Sequence, residues 1–396
     1  MSTPAFAART KRLRSSAIRD LLKLTESNSV LSLAGGLPSP ESFPLADLRR
    51  EADRLLGEFG PAVVQYSSTD GVPELRAWIA EQYTAHLGRP VAVDGQILVT
   101  HGSQQALDLL AKTLVDPGDV VVTEAPAYLG AIQALELFEP RFEVIPGDEH
   151  GMRVEVLAER LADGLRPKLV YVVPNFHNPS GATLSLDRRR LLAQLANRYE
   201  LLIVEDDPYG AIRFAGTPLP PVAAFTERVV HLSTFSKIVA PGFRVGWMIG
   251  PEPVIAMAAR AKQAADLHTS TFAQKLLANV VAKPGWLDEQ KARIVPIYRE
   301  RCAALGDAFD ELLGDRIQFH RPEGGMFLWT RFAGIDDTDA LLTRAVSEGV
   351  AFVPGGAFSI EQSPTATARF SYSTLDPAGL RTAAERVAVA VDALCG

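Results

Sequence analysis

The chain has 396 residues, 47% hydrophobic and 22% charged, an ordinary globular composition with material for two domains. Its formal net charge of −7 argues against a nucleic-acid partner, which needs a basic field, and no apolar run approaches the ~18 residues of a membrane span. Two cysteines, Cys302 and Cys395, make no disulfide framework and fit a reducing compartment, so a cytoplasmic location is expected.

The opening stretch, "MSTPAFAARTKRLRSSAIRD", carries five basic residues before its first acid, Asp20, and reads as a solvated basic arm, with a transit peptide as the alternative and no apolar core of a signal peptide. From about residue 73 to 290 helix and strand signals alternate. "PELRAWIAEQYTAHL" predicts a helix with Pro73 in its first turn and Leu75, Trp78, Ile79 and Gln82/Tyr83 on one face. "QILVTHG" reads as a strand, and "SQQALDLLAKTL" as a helix with Leu107, Leu110, Ala111 and Leu114 at helical spacing. The apolar runs "DVVVTEAP", "RFEVIPG", "KLVYVVPN", "LLIVEDDPY", "RVVHLSTFSK" and "VGWMIG" follow, with "LDRRRLLAQLANRYE" as an amphipathic helix among them. Strands so uniformly apolar are covered on both faces, which predicts an α/β fold with a mostly parallel central sheet.

After about residue 290 the pattern changes. "VPIYRERCAALGDAFDELLG" predicts a long helix, and "IQFHRPEGGMFLWTRF" two strands around a Gly-Gly turn. A further helix, the strands "GVAFVPG" and "ARFSYST", and a last helix from Asp376 complete a smaller α+β unit. The expected organisation is an arm over 1–45 packing on the small domain and the active site, a large domain over 46–290 and a small C-terminal domain over 291–396.

Polar residues collect at strand C-termini, where open α/β sheets place ligands. "THGSQQAL" puts Gly102, Ser103 and Gln104 at a strand-to-helix switch whose free N–H groups suit an anion; a helix cap by Ser103 is the plainer alternative. "PNFHNPSG" ends another strand with Asn178, biased toward extended backbone by Pro179, or simply turning there. "VEDDPYG" brings out Glu205, Asp206, Asp207 and Tyr209, and a carboxylate at a buried strand end needs a partner. In "STFSKIVAPGFRVG", Lys237 follows a buried strand among Ser233, Thr234 and Ser236, with Arg244 downstream and no acid in the stretch. A lysine, an aspartate, an asparagine and an anion cradle on successive strand ends are what a pyridoxal phosphate site requires. There Lys237 acts as a neutral amine, its basicity lowered by burial and nearby cations, and Arg244 and Thr234 hold phosphate. The seven histidines show no metal-ligand spacing, and neither G-x-G-x-x-G nor a P-loop occurs.

These motifs, with "LSLAGGLPSPESFP", "VQYSSTDGVPELR", "EAPAYLGAIQA", "GGMFLW", "AFVPGGAF" and "RFSYST" in order and spacing, resemble the class I/II aminotransferases of the fold-type I pyridoxal 5′-phosphate enzymes. The resemblance is greatest to the branch holding 2-aminoadipate and kynurenine aminotransferases, and runs from "SSAIRDLLKL" to the C-terminus. It implies a large cofactor-binding domain and makes Lys237 the Schiff-base lysine and catalytic base. It also implies that Asp206 pairs with the pyridine nitrogen, Asn178 and Tyr209 bond the ring hydroxyl, and Tyr128 stacks on the ring. Ser103, Gln104, Thr234 and Arg244 would hold the phosphate, joined by Tyr66 from the partner of a homodimer. Arg369 would bind the substrate α-carboxylate, Gly36 would line the pocket, and Arg19 is a candidate for the substrate's distal group. Thr234 stands where serine is common, and His177 where Asn or Gln is frequent.

The implied reaction is a ping-pong exchange of an amino group between an L-amino acid and a 2-oxo acid. Aromatic, branched-chain and specialised-metabolite substrates stay open, as does a lyase or decarboxylase on the same scaffold. A regulator with a DNA-binding module is not expected, because only about 30 residues precede "LSLAGGLP".

Overall fold

The computed structural model describes residues 5–12, 30–360 and 363–395, and Arg19 lies outside them. The strand β1 (Leu31–Ser32) is followed by helices α1 (Leu45–Phe59) and α2 (Pro73–Leu87). Helix α2 begins on Pro73, whose missing N–H would have no intrahelical partner anyway, and ends at Gly88 in the left-handed region. Next come β2 (Ile97–Thr100), α3 (Gly102–Leu114), β3 (Val120–Ala125), α4 (Leu129–Glu136), β4 (Arg141–Asp148) and β5 (Gly151–Met152). They lead to α5 (Val154–Ala162), β6 (Leu169–Val172), α6 (Leu186–Tyr199), β7 (Ile203–Asp206), β8 (Val229–Thr234) and β9 (Gly246–Ile249).

These strands form one sheet in the order β2-β9-β8-β7-β6-β3-β4-β5. The run from β8 through β7, β6 and β3 to β4 is parallel. Strand β9 is antiparallel to both its neighbours, so β2 points the same way as β8. The C-terminal ends of β2, β3, β6, β7 and β8 therefore share one edge, and the residues that follow them are brought together there. Every residue of β2, β6, β7 and β9 is buried, because helices cover both faces of a parallel sheet. Each fully buried Val, Leu or Ile contributes about 1.5–3 kcal/mol, and Leu169→Ala in β6 would cost about 2–5 kcal/mol.

Helices α7 (Glu252–Asp266) and α8 (Thr271–Val281) lead to α9, which spans Trp286–Leu313 with Pro296 inside it. The sequence suggested a start near Val295, but the helix begins a good two turns earlier and runs without a break through residue 290. Its buried side chains Trp286, Gln290, Ile294, Tyr298, Arg301 and Leu305 keep one face across the proline. That packing outweighs the roughly 3 kcal/mol cost of an internal proline.

The rest comprises β10 (Ile317–Phe319), β11 (Phe327–Phe332), α10 (Thr338–Ser347), β12 (Val350–Ala351), β13 (Val353–Pro354), β14 (Thr367–Ser371) and α11 (Pro377–Cys395). A second sheet has the order β10-β11-β14-β13. "GVAFVPG", read as one strand, divides: Val350–Ala351 pairs in parallel with β1, and Val353–Pro354 pairs antiparallel with β14. Pro354 has no N–H to extend a ladder, so the second piece stops there. The chain before α1 is tied to this unit by Leu33 N–H to Ala351 C=O and Ser371 N–H to Leu33 C=O. The same tie delivers the Ala34 and Gly36 carbonyls to the edge of the large sheet.

Candidate active site

Lys237 stands three residues beyond β8. Its Nζ donates to the Gly36 carbonyl at 2.9 Å and lies 5.9 Å from the centre of the Tyr209 ring. No carboxylate among the described residues forms an ion pair with it. Burial, and then the Arg244 and Arg369 guanidiniums, lower its pKa from 10.5 to about 8. A readily deprotonated amine is a nucleophile and a base; a solvating lysine is neither.

The two aspartates after β7 have different surroundings. Asp207 is spent on the local turn, with Oδ1 accepting from Gly210 N–H and Oδ2 from the Asn175 amide. Asp206 is 2% exposed and lines the cavity. Its Oδ2 accepts from the Tyr171 hydroxyl at 2.9 Å, while its Oδ1 is buried with no hydrogen-bond partner among the described residues. Burial raises its pKa to about 7, against the lowering effect of the Tyr171 bond. An orphaned carboxylate oxygen is costly unless a cation or a donor comes to it.

Arg369, on β14, is 1% exposed. Its Nη1 donates to Asn178 Oδ1 at 2.7 Å and its Nη2 to the Ala34 carbonyl at 2.6 Å, and its Nε is buried without a partner. The guanidinium is held between Phe327 and Phe358, 4.3 and 4.9 Å from their ring centres. Among the described residues no carboxylate neutralises it, and burial lowers its pKa to about 10. Asn178 Nδ2 also points to the Tyr209 hydroxyl at 3.4 Å.

At the other end of the cavity, α3 begins at Gly102. Its N-cap, His101, makes no side-chain capping bond, and Ser103 Oγ is buried without a partner among the described residues; Ser103 is thus not the cap its position allowed. Arg244 has a left-handed φ of 53°, and its guanidinium lies so close to Gly102 that a Cβ there would come within 2.8 Å of Nη2. Cation, open helix end and unbonded hydroxyl converge as an anion site requires. Gln104 contributes by its place on α3, because its side-chain amide is tied to the Gly130 carbonyl at 2.7 Å and steadies the loop of Tyr128. Thr234 donates to the Val245 carbonyl and accepts from Ser236 N–H, so it shapes the turn.

Ser103, Gln104, Tyr128, Asn178, Asp206, Tyr209, Thr234, Lys237, Arg244 and Arg369 all line one cavity of about 540 Å³. Gly36 meets it through the carbonyl that accepts from Lys237. Tyr66 does not join it: that ring is 77% exposed and packs edge-on against His268 at 5.7 Å. His177, the departure beside Asn178, is buried against Ser180 and Glu124, and burial lowers its pKa to about 3, so it is neutral. The sequence reading gave no role to Tyr171 or to the Phe327–Phe358 pair, and noted Ser236 only as a neighbour of Lys237. A larger cleft of about 750 Å³ between α2, α9 and the 207–219 loop shares Pro208 and Thr234 with this cavity but contains neither Lys237, Asp206 nor Arg369.

The cavity sets three cations, Lys237, Arg244 and Arg369, against one carboxylate, Asp206, and leaves buried polar atoms unsatisfied at both ends. A ligand with a phosphate at the α3 end, a protonated ring nitrogen at Asp206 and a carbonyl carbon at Lys237 would answer each of them. Pyridoxal 5′-phosphate has those three features.

The family pattern described as "Aminotransferase class I and II" matches residues 30–387. An aromatic-amino-acid aminotransferase of Thermococcus litoralis is 40% identical over 97% of this chain and 93% of its own. Among solved structures, a multiple substrate aminotransferase from Thermococcus profundus superposes with a TM-score of 0.93 at 40% identity, covering 98% of each chain. The α-aminoadipate aminotransferase of Thermus thermophilus, crystallised with N-(5′-phosphopyridoxyl)-L-leucine, gives 0.90 at 38% identity, covering 98% of this chain and 97% of that one.

Proposed function

This chain belongs to the class I and II aminotransferases and moves amino groups with pyridoxal 5′-phosphate, and on that premise we propose that Lys237, Asp206 and Arg369 divide the chemistry among them. When bound, the cofactor supplies a ring that accepts electron density from the substrate Cα. Lys237 Nζ would hold the cofactor covalently and, once displaced, would take the proton from the substrate Cα and deliver it two atoms away, across the substrate nitrogen. Asp206 Oδ1 keeps the proton on the ring nitrogen. Arg369 and Asn178 grip the α-carboxylate, which sets the Cα–H bond toward Lys237. Tyr128 would stack on the ring and Tyr209 and Asn178 would bond its hydroxyl, while Ser103, Arg244 and the end of α3 that carries Gln104 would hold the phosphate beside the turn that Thr234 shapes. The observation that carries this assignment is that, among the described residues, Asp206 Oδ1 has no hydrogen-bond partner and Arg369 no carboxylate, in one cavity with Lys237.

The substrate range proposed is broad. The lining left for a side chain, Leu37, Leu129, Gln133 and Phe358, is apolar with one amide, which suits large aliphatic and aromatic side chains. The likeness to an α-aminoadipate enzyme adds 2-aminoadipate to that set. We further read the protein as a cytoplasmic homodimer in which the exposed ring of Tyr66 reaches the partner's phosphate site, over a large domain at 46–290 and a small one at 291–396. Single-turnover reactions with a panel of amino acids, followed by transfer of the nitrogen to a 2-oxo acid, test the function. Release of ammonia or CO₂ without nitrogen transfer would favour the lyase or decarboxylase alternative.

A further inference from the structure

Tyr171 is 1% exposed, in the middle of β6. In the β6–β7 register it pairs with Val204, two residues before Asp206, so Tyr171 and Asp206 project from the same face of the sheet. The phenol donates to Asp206 Oδ2 at 2.9 Å. The other carboxylate oxygen, Oδ1, has no partner among the described residues, and Asp206 lines the cavity. One oxygen of the carboxylate is committed and the other is left for a ligand. A lone hydroxyl in an otherwise apolar, fully buried strand has no other assigned purpose.

We propose that Tyr171 is a positioning residue for transamination: its hydroxyl fixes the carboxylate of Asp206 through Oδ2, presenting Oδ1 to the cofactor's ring nitrogen and holding the carboxylate in its ionised form. This rests on the assignment of Asp206 as the ring-nitrogen partner. Asp206 feels the charges of Asp207 beside it and His231 on the neighbouring strand β8, and the hydrogen bond from the neutral Tyr171; Asp206 in turn acts on the Tyr128 and Tyr209 phenols in the cavity. Asp207 favours the protonated acid, while His231 and the Tyr171 bond favour the carboxylate. Burial beside Asp206 raises the Tyr171 phenol well above its ordinary pKa of 10, so it remains a donor throughout the working range. Without that donor, a carboxylate this deeply buried is free to turn about χ2 and easier to protonate. Its proton would then compete with the one on the ring nitrogen.

The test is a double-mutant cycle of Tyr171→Phe and Asp206→Asn. Each variant is read by the affinity of the cofactor-free enzyme for pyridoxal 5′-phosphate, by the single-turnover rate with an amino donor, and by infrared titration of buried carboxyl groups without cofactor. A lost hydrogen bond to a charged group corresponds to a loss of roughly ten- to hundredfold in affinity or rate for Tyr171→Phe alone. The same change in the Asp206→Asn background should have less than about a twofold effect, because there is no ionised carboxylate left to hold. The carboxyl signal that Asp206→Asn removes should titrate at higher pH in Tyr171→Phe than in wild type. Equal losses in both backgrounds would make Tyr171 merely structural and overturn the proposal, as would an unchanged carboxyl titration. Any general loss of stability cancels in the comparison of backgrounds. If Asp206→Asn is itself silent, the assignment of Asp206 fails, and that outcome is distinct from a failure of Tyr171 alone.

Discussion

The guanidinium of Arg369 donates to Asn178 Oδ1 at 2.7 Å, joining a strand of the small sheet to the loop that follows β6 of the large one. That bond makes the two sheets share a single site, with a buried cation at the seam and, among the described residues, no carboxylate to neutralise it. Replacing Arg369 by Ala should weaken amino and oxo acids alike, by the roughly 2–5 kcal/mol typical of truncating one member of a buried charge pair. Arg369→Lys should recover little, since a point charge cannot reproduce the fork that serves Asn178 and Ala34 together. Substrate titrations of the bound cofactor's absorbance would measure both, and unchanged substrate affinity in Arg369→Ala would refute this role.

Asp206→Asn and Asp207→Asn should separate cleanly. The first removes the carboxylate that faces the cavity, so both half-reactions should slow by orders of magnitude while the fold is kept. The second weakens the turn held by Gly210 and Asn175, costing about 1–3 kcal/mol of stability with a much smaller effect on chemistry. Single-turnover rates and denaturant midpoints measured on both variants decide between the two aspartates.

The Lys237 amine should govern how the cofactor-free enzyme captures pyridoxal phosphate. With its pKa lowered to about 8, capture should accelerate about tenfold per pH unit below 8 and level off above it, following the neutral amine. Arg369→Met removes one of the two cations that depress this pKa, so the plateau should move to higher pH. The same shift has a stability consequence: between about 8 and 10.5 the unfolded chain binds more protons, so stability should rise with pH in that window. Lys237→Met should lack that rise. A capture rate independent of pH from 6 to 9, or a plateau that moves down in Arg369→Met, would contradict the account.

Beneath the sheet, His231 Nδ1 and Glu205 Oε2 are 3.1 Å apart and both are fully buried. Burial alone would lower the His231 pKa and raise that of Glu205, but their mutual attraction prevails, raising the first and lowering the second. The His231 contribution to stability is full below 6.5 and is lost as pH rises through its higher folded value. The Glu205 contribution is present above 4.5 and is lost as pH falls through its lower folded value. Breaking the pair with Glu205→Gln should cost about 3–5 kcal/mol, with the largest deficit between those two pH values. Denaturation curves of wild type and variant across pH 4–9 would reveal that maximum, and a deficit that is flat with pH would contradict it.

The proposed homodimer can be tested by complementation. Lys237→Ala and Tyr66→Ala subunits, each with little activity, should regain part of it after subunit exchange, because one site of the hybrid has both Lys237 and an intact partner Tyr66. No recovery in verified hybrid dimers would argue against a shared site.

Much of this architecture was legible because its signals are local. Apolar runs such as "KLVYVV" mark strands buried on both faces, and the polar residues after them fall on the shared edge of the sheet. The resemblance preferred Asp206 to Asp207, and both Asp207 oxygens are occupied by its own turn, a contact that the sequence does not display. Other features depend on contacts between distant segments. Tyr171 looked like one more apolar strand residue until the β6–β7 register set it beside Asp206. The continuity of α9 across Pro296 was hidden because the packing that sustains it comes from other segments. The division of "GVAFVPG" between two ladders depends on β1, more than 300 residues away in sequence.

Lys237 is the residue proposed as covalent anchor and base. Borohydride reduction of the holoenzyme, followed by digestion and mass spectrometry, tests it most directly. A pyridoxyl group is expected on Lys237 and on no other lysine, lost when excess amino donor is added before reduction. A label on a different lysine, or continued nitrogen transfer by Lys237→Ala, would contradict it.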